Sequence, residues 1–589
     1  MYLRETRRRK ADGSEVAYLA LAHNERDPAS GMPKAKIIHN FGRADLVDRE
    51  GLARLVRSIS RFLDPADAVA AAQGSNEVKV VDSRPMGTSY VADRLWERLG
   101  IGRAIFQVAS SRRVDAEAVE RAIFSMVTNR LSVKPLSKHA GCTWVQQRAF
   151  IDQCPELADD NCYRAMDFLL DALAELQESV FFSAANLLNL EVDLLFFDTS
   201  STYFETEHLE EALVEDDDAG DDDDGATEDE GASGHSRLVE EGARRFSKHS
   251  KDHRADLPQV VIGMAMTRIG IPVRCWTFPG TTSDQDIIRK VKDDLGSWGL
   301  HRVIWCVDRG FNSKKNRRYL ERAGGHYIVG EKLRSSSAEA NEALSRQGRY
   351  HLVAGNLRVK EVRTGEGVFT DRFVICYNPE RANHDKAVRE NIVIHLAGRI
   401  ATSDALSAAS RSELYGALST KAIFKRFLRR TASGKLRIDR AAVARESHFD
   451  GKFLLRTDDK SLSAEDIALG YKALYEVERG WRDMKRSNVN IRPVYHRRED
   501  RIRAHVQLCW LALLVMRVAE TEVHDTWRNM RNELDRMHLV TMATSKGTVS
   551  QRSELTAGQR HILGSLGLAD PPLFFEFIPA ADPVEASAS

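Results

Sequence analysis

Leu194-Leu195-Phe196-Phe197-Asp198 and Val303-Ile304-Trp305-Cys306-Val307-Asp308 are the stretches that decide the fold. Each is an apolar run of buried-strand length that delivers an acid at its end. A carboxylate beside an apolar strand costs on the order of a few kcal/mol unless a cation meets it, and Mg2+ is the obvious candidate. Two-metal phosphoryl transfer needs a few carboxylates holding divalent ions roughly 3.5 to 4 Å apart. Asp198 and Asp308 would bridge or flank such ions if their strands lie side by side, and a third acid must come from elsewhere.

Outward from these strands the pattern alternates. Candidate strands at 258–268 and 271–278, a helix at 284–298, a strand at 302–308, a helix near 314–323 and a strand at 326–330 predict a mixed sheet containing parallel pairs. The expected class is therefore multidomain α/β, with the first part of the core at 188–334. Upstream, 1–64 reads as a small β meander followed by a helix over 47–64, and 65–80 as a linker. Residues 87–187 read as a helical module, in which Arg130, Lys134 and Lys138 are candidate DNA contacts set against an ordinary solvated surface. Downstream, β-rich pieces at 357–363, 368–377 and 453–456 predict an inserted β-rich domain over 335–455. A second part of the core follows at 456–530, then a C-terminal tail at 531–589.

With 589 residues, 42% hydrophobic and 29% charged, the chain is long enough for three or four globular domains. The apolar stretch 508–516 is too short to cross a bilayer and reads as buried helix. The start, Met1-Tyr2-Leu3-Arg4 leading into Arg7-Arg8-Arg9-Lys10, has no apolar segment of the signal type, so a cytoplasmic location without a membrane partner is expected. Seven cysteines with no Cys-x-x-Cys pair argue for packed thiols rather than zinc or disulfides. The formal balance of 86 against 86 hides an asymmetry: residues 215–230 hold eleven acids and no base, and 86 minus 75 leaves +11 on the rest. That excess favours a polyanionic partner. The acidic region 206–245 itself predicts a disordered insertion, with an internal decoy for a basic groove as the minority alternative.

The third acid is sought on a helix predicted over 464–486. At 100° per residue, Tyr471, Leu474, Glu478, Arg482 and Lys485 share one sector while Glu476 faces away, so Glu478 is preferred. Between 479 and 503 stand nine Arg or Lys against three acids. Of these, Arg479, Arg482, Lys485, Arg486, Arg492, Arg497 and Arg498 are the candidate DNA contacts, since arginine forks suit backbone phosphates. Trp481 reads as core before base stacking. Gly325-x4-Gly330 superficially suggests a phosphate loop, yet Glu331 stands where a lysine is required. His496 and Asp500 read as capping or phosphate contacts before a metal pair.

Tyr471-x2-Leu474-x3-Glu478-x6-Lys485 resembles the Tyr-x2-Arg-x3-Glu-x6-Lys signature of insertion-sequence-four-type DDE transposases. Phe197-Asp198-Thr199-Ser200 is similar to that family's first-acid strand, and Val307-Asp308-Arg309-Gly310-Phe311 to its second. The stretch from Ile491 to His505 looks like the segment after the glutamate in a subgroup whose members also begin with a Met-Tyr-Leu-Arg-type strand. The resemblance covers most of the chain, with its core at 190–520, and departs at Leu474, where the family usually has Arg. It implies a ribonuclease-H-like catalytic core with a β-rich insertion, Asp198, Asp308 and Glu478 as catalytic ligands of two Mg2+ ions with Mn2+ as a substitute, and Tyr471 and Lys485 at DNA. It further implies cleavage at terminal inverted repeats, release of 3′-hydroxyl ends and their joining to target DNA, in some members through a hairpin, by a homodimer. A nuclease on the same fold and a non-catalytic repressor are the alternatives.

Overall fold

The computed structural model describes residues 1–9, 15–26, 32–48, 51–52, 78–190, 192–203, 256–300, 302–334, 337–365, 371–492, 498–544 and 547–579. The chain divides into two compact units, one of Met1–Asp82, Thr541–Gln551 and Phe574–Ser589, the other of Ser83–Val540 and Arg552–Leu573. The acidic region 206–245 and most of the helix predicted over 47–64 lie outside the described residues.

The first unit opens with an antiparallel meander, β1 (Tyr2–Arg9), β2 (Glu15–Arg26) and β3 (Pro33–Arg43). Its central strand buries Val16, Ala20 and Ala22 on alternate positions, as the period of two requires. A second sheet runs in the order β18-β17-β16-β4, from β4 (Lys79–Pro85), β16 (His538–Thr544), β17 (Gly547–Arg552) and β18 (Phe574–Pro579).

In the larger unit, six helices come first: α1 (Gly87–Arg98), α2 (Ile101–Ser111), α3 (Ala116–Leu131), α4 (Lys138–Gln147), α5 (Asp159–Asp171) and α6 (Leu173–Leu187). Asp115 and Ser137 start α3 and α4 by accepting from the Ala118 and Ala140 amides. Two of the basic positions proposed for DNA are core residues here. Arg130 is buried and donates to the Asn490 carbonyl at 3.2 Å, and Lys138 is buried with its Nζ 3.4 Å from Nδ1 of His505. Lys134 alone of the three is exposed.

The centre is a nine-stranded sheet in the order β10-β11-β12-β15-β9-β8-β5-β6-β7. It is built from β5 (Leu194–Tyr203), β6 (Gln259–Met266), β7 (Pro272–Pro279), β8 (Ile304–Val307), β9 (His326–Glu331), β10 (His351–Ala354), β11 (Leu357–Thr364), β12 (Asp371–Tyr377) and β15 (Lys452–Thr457). β5, β8 and β9 are mutually parallel, and every other neighbouring pair is antiparallel. The segment β7-β6-β5-β8-β9, in which only β6 is reversed, is the ribonuclease-H-like arrangement. Helix α7 (Asp284–Gly296) covers one face, placing Ile287, Ile288, Val291 and Leu295 in a core with Leu195, Phe197, Trp305 and Val307. Between β8 and β9 lies α8 (Lys314–Leu320), and after β9 comes α9 (Ala338–Ser345).

The expected β-rich insertion domain over 335–455 needs correction. β10, β11, β12 and β15 extend the central sheet past β9 instead of forming a body of their own. What is inserted is helical: α10 (Pro379–Ile400), α11 (Ala408–Ser419), α12 (Ala422–Lys425) and α13 (Arg440–Ser447), with a small hairpin of β13 (Leu428–Arg430) and β14 (Leu436–Ile438). Asn378 caps α10 and Pro379 occupies its first turn, where proline needs no amide partner. Leu396 and Ile400, one helical turn apart, then nucleate a separate core with Leu418, Phe424, Phe427 and Leu436.

The second part of the core holds α14 (Ala464–Lys472), α15 (Tyr475–Arg482) and α16 (Glu499–Val523). By length and composition α16 would span a bilayer, yet it is almost wholly buried in the protein, a core helix as its apolar centre predicts. The expected tail at 531–589 is also corrected: it completes α17 (Trp527–Leu534) and contributes α18 (Ala557–Ser565) and three strands.

Candidate active site

Parallel pairing of β5 with β8 sets Phe197 beside Val307, so the next residues, Asp198 within β5 and Asp308 just past the end of β8, follow from paired positions. Neighbouring strands lie about 4.8 Å apart. Phe197 and Val307 point into the core beneath α7, and the alternation of a strand therefore sends both acids to the opposite face. Asp198 does not end its strand, as its place after the apolar run suggests: β5 continues to Tyr203, with Asp198 opposite Met264 of β6. Both acids are half-buried.

That face is covered by α14 and α15, and glycines let them come close. A Cβ on Gly470 would sit 3.4 Å from Leu194, and one on Gly480 would lie 2.3 Å from the Met266 methyl. The approach delivers Tyr471, whose hydroxyl donates to Oδ1 of Asp308 at 3.0 Å. Its ring stacks on Phe453 of β15 with centroids 6.2 Å apart. Burial, then the charge of Asp308, pushes the Tyr471 phenol far above its ordinary value, so it stays a donor. Gly330, set aside as a phosphate-loop glycine, is explained here: a Cβ on it would stand 2.4 Å from the Tyr471 hydroxyl.

Glu478 is not brought to the two aspartates by contact. The helix predicted over 464–486 is in fact two, separated at Ala473 and Leu474, and the single sector drawn through Tyr471 and Glu478 does not run through the joint. Leu474 is buried at the start of α15. Glu478 stands exposed on the first turn of α15, a helix packed against β5 and β6, while Glu476 reaches Arg479 at 3.6 Å. Among the described residues no three His, Cys, Asp or Glu side chains cluster tightly enough to hold a metal ion.

Past Arg482 the backbone widens into a π turn, Asp483–Ser487, a feature that recurs at functional sites. A buried charge network moors it. Arg517 of α16 donates to Asp483 at 2.7 Å and to Glu520 at 2.6 Å, and Glu520 also accepts from Arg479 at 2.7 Å. Arg479, a candidate DNA contact, is thus committed to internal carboxylates. Trp481 is buried, as its helical spacing predicts.

The remaining basic candidates are placed unevenly. Arg482 is exposed with its guanidinium 5.7 Å from the Tyr475 ring, and Lys485 is half-exposed. Arg492 donates to Thr202 at 2.9 Å and stacks 3.9 Å from the Tyr203 ring, at the far end of the strand that carries Asp198. Arg498 is exposed and pairs with Asp500. Arg497 and His496 lie outside the described residues, as does the side chain of Arg486.

On the opposite, α7-covered face, behind the acids, Asp284 at the start of α7 has a bracing contact that its place in the sequence does not reveal. Its Oδ1 accepts from the Thr199 hydroxyl at 2.5 Å, and its Oδ2 would lie 3.0 Å from a Cβ on Gly310. Asp284 therefore touches the residue after Asp198 and the turn two residues beyond Asp308. The one local signal was an acid opening a helix shortly after a strand end.

Comparison with known families gives two matches. Residues 235–515 match the transposase DDE domain, a span that includes Asp308 and Glu478 and begins after Asp198. Residues 3–71 match the N-terminal domain of the IS1634 family of transposases. No curated protein matches the sequence. A solved cryo-EM structure of a piggyBac transposase synaptic complex with hairpin DNA aligns at a TM-score of 0.33 and 8% identity, over 76% of this chain and 79% of that one, too low a likeness to bear on the site.

Proposed function

We propose that this chain, whose residues 235–515 match the transposase DDE domain and 3–71 the N-terminal domain of IS1634-family transposases, is a DDE transposase of an insertion sequence that cleaves DNA at the element's terminal inverted repeats and joins the resulting 3′-hydroxyl ends to target DNA. The observation that carries this reading is the parallel pairing of β5 with β8, in which Asp198 and Asp308 each follow directly on the paired residues Phe197 and Val307 of a ribonuclease-H-like sheet. We take these two half-buried carboxylates as ligands of a divalent ion such as Mg2+, with Mn2+ as a substitute, since hard cations take oxygen donors. Glu478 is assigned as the third ligand on its spacing from Tyr471 in sequence, not on contact. Such ions, when bound, supply activation of the attacking oxygen and stabilisation of the leaving oxygen.

The chain's own groups do the positioning. Tyr471 holds one oxygen of Asp308 and leaves the other to a cation. Arg482, Lys485 and Arg498, at or near the surface, grip backbone phosphates, and Arg492 does so from its seat on Tyr203. The spacing from Tyr471 to Lys485 supports an insertion-sequence-four-type relationship as a finer assignment beside the matched IS1634 N-terminal domain. Two ends must be held together for joining, which supports a homodimer. The test uses a duplex carrying the inverted repeats that flank the gene, both intact and pre-cut with a free 3′-hydroxyl. Wild-type protein with Mg2+ is expected to cut the first and join the second, whereas Asp308→Asn binds the ends and does neither. Cutting without joining would make the protein a nuclease, and normal cutting by Asp308→Asn would remove Asp308 from the chemistry.

A further inference from the structure

The basic segment of the helical insertion has a density of charge that nothing in the site above uses. Between Lys421 and Arg445 the chain carries nine Lys or Arg and a single acid, Asp439. That acid is occupied as the cap of α13, accepting from the Ala442 amide at 2.9 Å. Folding sorts the segment cleanly: Phe424, Phe427, Leu428 and Leu436 turn inward onto Leu396 and Ile400. Arg429, Arg430 and Lys435 are left exposed on the β13–β14 hairpin, with Lys425, Arg440 and Arg445 exposed beside it. Arg426 and Arg437 are neutralised by Glu446 at 2.9 Å and Asp404 at 2.7 Å. The other seven, Lys421 among them, make no ion pair among the described residues. The tip, Thr431 to Gly434, is small and polar, and Gly434 takes φ +78, so no bulky side chain shields the cations.

Like charges gathered on one hairpin repel one another, a cost that a polyanion relieves by releasing its condensed counterions. We propose that this hairpin is a second DNA-binding surface, separate from the 479–503 segment, which grips duplex backbone phosphates without reading sequence. The identification of the polyanion as DNA rests on the transposase reading. Arginines on a strand pair suit this role because their planar forks engage phosphate oxygens two at a time.

The test is the full-length triple variant Arg429→Gln, Arg430→Gln, Lys435→Gln, compared with wild type by fluorescence anisotropy on a random-sequence duplex across a salt series. The expected result is a loss of roughly ten-fold or more in affinity at low salt, with the slope of log K against log salt shallower by about 0.9 for each phosphate contact removed. An unchanged thermal unfolding curve would show that the loss is not misfolding, as exposed positions predict. The proposal is overturned if affinity and slope both match wild type, or if the triple variant keeps duplex binding and instead loses binding to phosphatidylserine vesicles. If wild-type protein binds and cuts end DNA while the variant is unaffected, only this inference falls; if wild type engages no duplex, the transposase reading falls with it.

Discussion

The hydroxyl of Tyr471 on α14 donates to Oδ1 of Asp308 at the end of β8, 3.0 Å away across 163 positions of sequence. Tyr471→Phe keeps the ring on Phe453 and deletes only this bond. A hydrogen bond to a charged group is worth about 1.5 to 3 kcal/mol, so single-turnover cleavage is expected to fall roughly ten-fold or more while DNA affinity is unchanged. A cleavage rate within about two-fold of wild type would deny Tyr471 a positioning role.

Gly330→Ala attacks the same bond from the other side. The new methyl would stand 2.4 Å from the Tyr471 hydroxyl and 3.2 Å from its ring carbon, with the Arg309 amide at 3.3 Å. Overpacking of this kind costs about 1 to 3 kcal/mol, read as a lower unfolding temperature. Adding Tyr471→Phe removes the closest clash, so the double variant should be more stable than Gly330→Ala alone. Strict additivity of the two changes would show that the residues are not coupled.

Asp284 separates charge from hydrogen bonding. Asp284→Asn can still accept from Thr199, whereas Asp284→Ala and Thr199→Val each delete the 2.5 Å contact. If Asp284 positions the ends of β5 and β8, the asparagine variant cleaves at close to the wild-type rate and the other two fall together. An asparagine variant as damaged as the alanine variant would point to a need for the negative charge itself.

Lys138 makes the fold sensitive to pH. Burial, followed by the nearby Arg130 charge, brings its ammonium from an ordinary 10.5 down to about 7. Between those values the unfolded chain holds a proton that the folded chain does not, so this residue adds stability as pH rises from about 7 toward 10.5 and withdraws it as pH falls. Lys138→Met removes that slope and should raise the unfolding temperature near neutrality by a few degrees. A melting profile with the same pH dependence as wild type would show that Lys138 is protonated throughout in the fold.

The strands of the core were legible because 194–197 and 303–307 are unbroken apolar runs of buried-strand length, each closed by an acid. Their adjacency was not legible, since parallel register is set by packing among distant segments. The break between α14 and α15 left no trace in Ala473-Leu474, both good helix formers; it accompanies the close seating of Gly470 and Gly480 on the sheet. Arg479 and Arg517 look alike in sequence to surface arginines, and only the fold reveals that Asp483 and Glu520 neutralise them. Asp284 was hidden for the same reason: its partners, Thr199 and Gly310, come from segments on either side of it. The insertion was misread because its short strands resemble the sheet they join, while the charged positions of α10 diluted its helical pattern.

Tyr377 and Lys452 are paired across β12 and β15, and the Asn378 amide donates to the Gly451 carbonyl at 2.8 Å. The polypeptide thus leaves and re-enters the sheet through a single narrow doorway. Lengthening a loop whose ends already meet adds only about 0.6 kcal/mol per doubling, so descendants of an ancestral chain are free to enlarge, trim or exchange whatever hangs there. Variation in length among cousins of this protein should therefore accumulate at that threshold and spare the helix bearing Glu478.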